Sequence, residues 1–467
     1  MKKTNNYVLA LLLAANLIPM SAIAQGDPVP YALSIRADDL KKHLTFIASD
    51  SLKGRNTGSA EQKVAANYIA DHFKKSGIAP VNGSYFQKVD LVNRAWSNVF
   101  ISAKGKKYEY LREMMASALA PVAANSKFPV VFAGFGVQQG AYTDFDKLNA
   151  KGKYVLAFEG EAKDAAGLYV LSGSKSPSVF GKGDGWKEKL KRAQAAGAKG
   201  LILIADRDTK TFGNQVRQRQ VMMQRFGNER MAFADAESAA NEAPVLLISS
   251  EAAAEMLSTT EAELLAYKAS LATEKKSIAA KFKAGAIEVT IERTEKPVDT
   301  YNVVGYLEGT DKKEEIVVLT AHYDHIGVSA DGQINNGAND DGSGTVTVME
   351  LAEAFGKAAA EGKRPRRSIL FMTVTGEEKG LLGSEWYANH PLFPLKNTVV
   401  DLNTDMTGRY DDEHKGKPDY IYEIGSDKLS SQLREVLIDQ NKKHVGLELD
   451  FRFNDPNDPN RFYYRSD

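Results

Sequence analysis

The chain has 467 residues, 43% of them hydrophobic and 26% charged, with 60 basic and 60 acidic residues and no cysteine. This is ordinary globular composition, long enough for two or three domains of ~150 residues. A formal net charge of zero gives no bulk pull toward nucleic acid or membrane surfaces. Without cysteine, disulfides, zinc–thiolate sites and cysteine nucleophiles are excluded.

In chain order, "MKK" and the apolar run "YVLALLLAANLI" precede "AIA", a small-x-small cleavage pattern. Residues 1–24 are therefore expected to be an export signal, cut after Ala24, with a periplasmic or secreted mature protein. The run is short for a membrane span, and no later one is long enough, so no stable membrane span is expected.

Residues 36–78 read as helix, with Val64, Tyr68, Ile69 and Phe73 at helical spacing and Gly77 as a stop. "YFQKVDLV" and "NVFISA" read as strands and close a first segment, 28–112. Within 128–285, "FPVVFAGFGV", "GKYVLAFEG", "KGLILIAD" and "APVLLIS" are short β runs, joined by the helix "WKEKLKRAQAAGA" and followed by a helical, charged stretch. This predicts a compact β-rich insert. "VRQRQVMMQRFGNERM", 216–231, reads as an exposed loop of that insert, and "DKKEE" and "KRPRR" as solvated loops. From 287 to 467 longer strands alternate with helices, as in a parallel α/β sheet. The expected fold class is α/β, with a mixed, mostly parallel sheet covered by helices and interrupted by the insert.

Three runs of the last segment end in ligand-type residues. "EIVVLTAH" ends in His322, "SILFMTVTGEE" in Glu377 and Glu378, and "NTVVDLNTDM" carries Asp405. The first two are near-continuous apolar runs, as expected of strands covered on both faces. Ligands of open α/β sheets bind beyond the carboxyl ends of the strands, so the three ends can converge on one crevice. A fourth element, "NNGANDDGSGTVTVMELAEAF", opens as a glycine-rich loop with Asp340 and Asp341 and continues as a helix. Gly337, Gly342 and Gly344 permit tight turns and close approach there. Asp341 can cap the helix. The loop lacks the Lys-Ser/Thr ending of a phosphate loop, and its acids would repel phosphate.

One histidine and several carboxylates are N and O donors suited to zinc. A carboxylate can bridge two ions, and a further one off the metal can take a proton from water. Two adjacent glutamates then divide the labour, one ligating and one acting as base, with metal offsetting their repulsion.

In order, "HYD", "GANDDGSG", "GEEKGLLGS" and "LNTDMTGR" resemble the co-catalytic zinc aminopeptidase family, whose relatives include glutamate carboxypeptidases, glutaminyl cyclases and the transferrin receptor. The motifs cover about 300–410. The resemblance implies a zinc-exopeptidase-like fold and two Zn2+ ions. His322 and Asp405 would hold one, Asp340 would bridge, and Glu378 would hold the second. Glu377 would be general base and acid, and Asp324 would orient His322 from behind. It implies a zinc metallo-aminopeptidase acting on peptide substrates. The insert resembles a protease-associated domain.

One departure stands out. The family's second zinc takes a further histidine from a loop nearer the C-terminus, whereas this sequence stops at "DPNDPNRFYYRSD". The expectation is that the segment 287–467 is incomplete, with a weakly held second zinc and exposed apolar surface. His325 can line the site; His390, His414 and His444 lack the family context. The alternatives are a carboxypeptidase or cyclase on the same fold, or a binding-type relative impaired by the absent ligand.

Overall fold

The structure, a computed structural model, describes residues 27–140, 142–146, 148–226, 229–235, 243–274, 282 and 284–467. The expected export signal lies outside them. The chain divides into two compact units: residues 1–89 with 299–467, and residues 90–298. The second unit is wider than the 128–285 stretch read as an insert.

The first unit is built on a four-stranded sheet in the order Thr398–Asn403, Lys312–His322, Arg367–Val374, Ala286–Leu307, the last strand contributing residues from 299 onward. The first three run parallel, and the fourth is antiparallel. Ile, Val, Leu and Phe runs favour extended backbone; the Arg367–Val374 strand and the end of Lys312–His322 are buried on both faces, while Val399 and Leu402 of the edge strand are exposed. On one face the helices Ala37–Ile47, Ala60–Lys75 and Ser343–Ala360 bring Ile47, Ile69, Phe73, Val346 and Met349 against Val303, Leu319 and Phe371. On the other, Tyr387 of the helix Leu382–Asn389 packs with Val318, Leu370 and Val374. Fully burying each such side chain contributes about 1.5–3 kcal/mol.

The helix Ala60–Lys75 is capped by Ser59, whose side chain accepts from the Gln62 amide. It ends, as expected, before Gly77, at φ +75°. Its buried stripe is Ala65, Ala66, Ile69, Ala70 and Phe73, while Val64 is half exposed. Small alanines let the helix approach the sheet, so the largest apolar residues alone misplace the stripe by one position.

The second unit carries further strands. Val122–Phe132, Tyr154–Phe158, Gly200–Ile204 and Val245–Ile248 run parallel in that order, and Met114–Ala118 closes one edge antiparallel. The long strand Phe86–Ala103 joins the two strand-like pieces read separately and pairs with Lys106–Glu109 and Glu229–Phe233. The stretch read as a loop at 216–231 is instead the end of the helix Thr209–Phe226 followed by that last strand. Gln, Arg and Met are good helix formers, and no Gly or Pro interrupts 214–226. "DKKEE" is not a free loop either: the strand starts at Lys312, where Glu315 pairs with Lys312 and Arg367, and Arg366 pairs with Asp311. Among the described residues no helix is long and apolar enough to cross a membrane.

Candidate metal centre

The parallel register sets Ile316–His322 beside Ser368–Val374, and Ile316–Thr320 beside Thr398–Asn403. His322, Glu377, Glu378 and Asp405 therefore leave the sheet at one edge. The loop 337–342 enters from the start of the helix Ser343–Ala360. Close approach explains its glycines. At Gly337, φ is +62° and a Cβ would lie 2.6 Å from the His325 ring. At Gly344 a Cβ would lie 2.0 Å from the Thr404 carbonyl oxygen.

His322 is 1% exposed. Its Nδ1 lies 3.1 Å from the carbonyl oxygen of Asp324, which can only accept, so Nδ1 carries a proton and Nε2 is the nitrogen that faces the site. Around Nε2 stand Asp340 Oδ1 at 3.1 Å and Asp405 Oδ1 and Glu377 Oε2, each at 3.8 Å. Burial opposes charging this imidazole. The carboxylates of Asp340, Asp405, Asp341 and Asp324 outweigh burial and push its pKa up.

Two triplets of donor atoms result, each within 4.8 Å of one another: His322, Asp341 and Asp405, and His325, Asp340 and Glu378. Asp340 belongs to the second triplet yet touches His322 of the first, which is where a bridging carboxylate has to stand. Asp341 does two things. Its Oδ1 accepts from the Gly344 and Met406 amides at 2.9 and 3.2 Å, and its Oδ2 is buried without a hydrogen-bond partner. Burial raises the pKa of Asp341 well above the carboxylate range. The two atoms His325 Nδ1 and Glu378 Oε1 are 2.7 Å apart.

Several atoms here are buried without any hydrogen-bond partner: His322 Nε2, Asp341 Oδ2, Asp405 Oδ1, His325 Nδ1 and Glu378 Oε1. Buried polar atoms are nearly always satisfied, so their convergence in two groups makes each group a candidate cation site. A set of imidazole and carboxylate donors fits zinc.

The remaining acids stand just behind. Glu377 follows Gly376, at φ +70°, in a short turn and is nearly buried. Burial, then the neighbouring Asp467, Glu378 and Asp324 charges against an opposing His322, raise its pKa to about 8. Asp324 is fully buried; its Oδ2 accepts from Thr57 at 2.7 Å and its Oδ1 from the Glu377 amide at 3.2 Å. Its carboxylate stays 3.9 Å from His322 Nδ1, so the closer orienting contact is its own main-chain carbonyl.

Sequence reasoning named His322, Asp324, Asp340, Glu377, Glu378 and Asp405, and the structure gathers all six. It left Asp341 with a capping role and did not find Ser466, whose hydroxyl donates to Asp405 Oδ2 at 2.5 Å, or Asp467, which bonds Ser384. No spacing pattern links those two to the site. His390 stacks on Trp386, and His414 lies between Asp411 and Asp450; with His444 they stand outside both triplets.

A mostly parallel sheet with His, Glu-Glu and Asp at its carboxyl edge and an Asp-Asp loop beside them defines the class of zinc exopeptidase-like domains. Residues 302–467 match the family model "Peptidase family M28". The chain is similar to a probable zinc metalloprotease of Leptosphaeria maculans, 35% identical over 26% of this chain and 28% of that protein. It is also similar to the aminopeptidase YwaD of Bacillus subtilis, 24% identical over 92% of this chain and 80% of that protein. The similarity spans about a quarter of the first two curated relatives. Among solved structures, an aminopeptidase from Aneurinibacillus sp. strain AM-1 aligns at 18% identity over 91% of this chain and 83% of its own, with a TM-score of 0.46.

Proposed function

We propose that the chain is an exported zinc aminopeptidase that hydrolyses N-terminal peptide bonds, with Glu377 as the proton-transfer group. The observation that carries the reading is the convergence of five partnerless buried donor atoms on two adjacent points, with Glu377 Oε2 3.8 Å from His322 Nε2. His322, Asp341 and Asp405 would hold one ion. His325 and Glu378 would hold a second, and Asp340 would stand between them. Zinc supplies Lewis acidity when bound.

The protein's own groups do the rest. Glu377 accepts a proton from the attacking water, the water oxygen bonds to the scissile carbonyl carbon, the C–N bond breaks, and Glu377 returns the proton to the departing amine. Burial and the neighbouring acids raise the Glu377 pKa in the metal-free chain, which favours its holding the proton it takes up until the amine departs. The Asp324 carboxylate fixes the Glu377 backbone through the amide, so the side chain starts from one place. Within the unit 90–298, residues 128–285 are read as a protease-associated-like insert.

The test is zinc per folded chain combined with release of an aminoacyl anilide product. Wild type should bind zinc and turn over; Glu377→Gln should bind zinc and not turn over. Folded wild type that takes up no zinc would refute the reading.

A further inference from the structure

The stretch Ser51–Gly58, "SLKGRNTG", has no part in the motifs that mark the site. In the structure it carries the largest fully buried side chain among the described residues, Arg55. The backbone turns through three consecutive left-handed residues, Lys53, Gly54 and Arg55 at φ +42°, +68° and +45°. Gly54 is required there: a Cβ would lie 2.1 Å from the Asn335 carbonyl oxygen and 2.8 Å from that of Gly327. The turn lies beside the segment after His322, with the His325 amide donating to Arg55 O and the Gly327 amide to Gly54 O.

From this turn the guanidinium reaches across both ligand-bearing segments. Nε donates to the Tyr323 carbonyl at 2.8 Å, between His322 and Asp324. Nη1 and Nη2 donate to the Asn336 and Gly337 carbonyls at 2.8 and 2.9 Å, just ahead of Asp340. Nη1 also meets the Ile47 carbonyl at 2.5 Å. Among the described residues no carboxylate hydrogen-bonds the guanidinium. Its charge is balanced at longer range by Asp324, Asp341, Asp340 and Glu378, against a burial that lowers its pKa to about 10.

We infer that Arg55 is a positioning residue that clamps the 323–327 and 335–341 segments together and so assembles the donor atoms of both triplets before metal binds. The inference rests on the metal-site reading above. A planar fork with donors along two edges can span four carbonyls; a lysine ammonium, a point donor on a flexible stem, cannot. The fixed cation also offsets part of the mutual repulsion of the carboxylates while no metal is bound.

The test compares wild type, Arg55→Lys and Phe73→Leu, the last lowering stability from the core of the same unit at a side chain packed on Phe371 and lying outside both segments. Zinc dissociation constants are measured by chelator competition, well below the lowest Tm. Arg55→Lys should weaken zinc by roughly 10–100-fold, the range for residues that orient ligands, while Phe73→Leu stays near wild type. Equal affinity for Arg55→Lys and wild type, or an equal loss in Phe73→Leu, overturns the inference. Hydrogen exchange of metal-free wild type supplies an arm that needs no variant to fold. The His325, Gly327, Asn335 and Gly342 amides should be protected; exchange at free-peptide rates overturns pre-assembly. Wild type that binds no zinc sinks the metal-site reading instead, and the exchange result still decides whether the two segments are clamped.

Discussion

The two units use the same device and put different things at its end. Each has parallel strands with apolar runs whose carboxyl ends lead into polar or acidic residues. In the unit 90–298 those acids are answered locally. Glu159, after the strand Tyr154–Phe158, takes the Asp206 amide and Arg207; Asp206 takes Lys268; Ser249, after Val245–Ile248, caps the next helix. Its buried Lys189 is likewise consumed by the Phe135, Phe158 and Gly160 carbonyls. In the first unit the strand-end donors meet one another and leave five buried atoms with no hydrogen-bond partner. Charge at a strand end is therefore uninformative by itself. What separates scaffold from site is whether the partner is already present.

The largest expected effect sharpens that contrast at its reacting edge. Glu377→Gln should lower turnover by about 10³-fold with zinc content unchanged, the range for removing a general base, read by anilide hydrolysis beside elemental analysis. Next, Asp405→Asn should weaken zinc by more than ~100-fold, since a direct ligand matters at least as much as its supports, read by chelator competition.

A third prediction uses pH. Glu377 has a pKa near 8 in the folded, metal-free chain against about 4.5 unfolded. Between those values the unfolded state binds fewer protons, so this group contributes stability at low pH that is lost as pH rises through 8. Chelated wild type should lose roughly 5 °C more in Tm between pH 5 and pH 8 than chelated Glu377→Gln. Equal slopes would remove Glu377 as the source.

The smallest effect lies in the other unit. Glu159→Gln breaks a partly exposed pair with Arg207 and should cost under about 1 kcal/mol, with zinc affinity untouched. A change in zinc affinity there would break the comparison.

Much of this was legible in the sequence, for physical reasons. Strands such as "EIVVLTAH" announce themselves because burial on both faces leaves no polar positions. Six site residues were readable because each follows an apolar run or sits among glycines. Asp341 was half legible: capping and facing the site are different jobs for two oxygens of one carboxylate, and only geometry separates them. His325 lay next to a motif but outside it. Arg55 was invisible, because a guanidinium that binds only carbonyls has no side-chain partner whose spacing could betray it. The helix at 209–226 was missed because its charged, Met-containing surface resembles a loop when polarity is weighed above helix propensity.

The central claim is that the partnerless donors are metal ligands. It is tested most directly by zinc per folded chain after dialysis against trace zinc, for wild type, Glu377→Gln and Asp405→Asn side by side. The account predicts zinc retained by the first two and lost from the third. Folded wild type without zinc, or Asp405→Asn holding it as tightly as wild type, would contradict it.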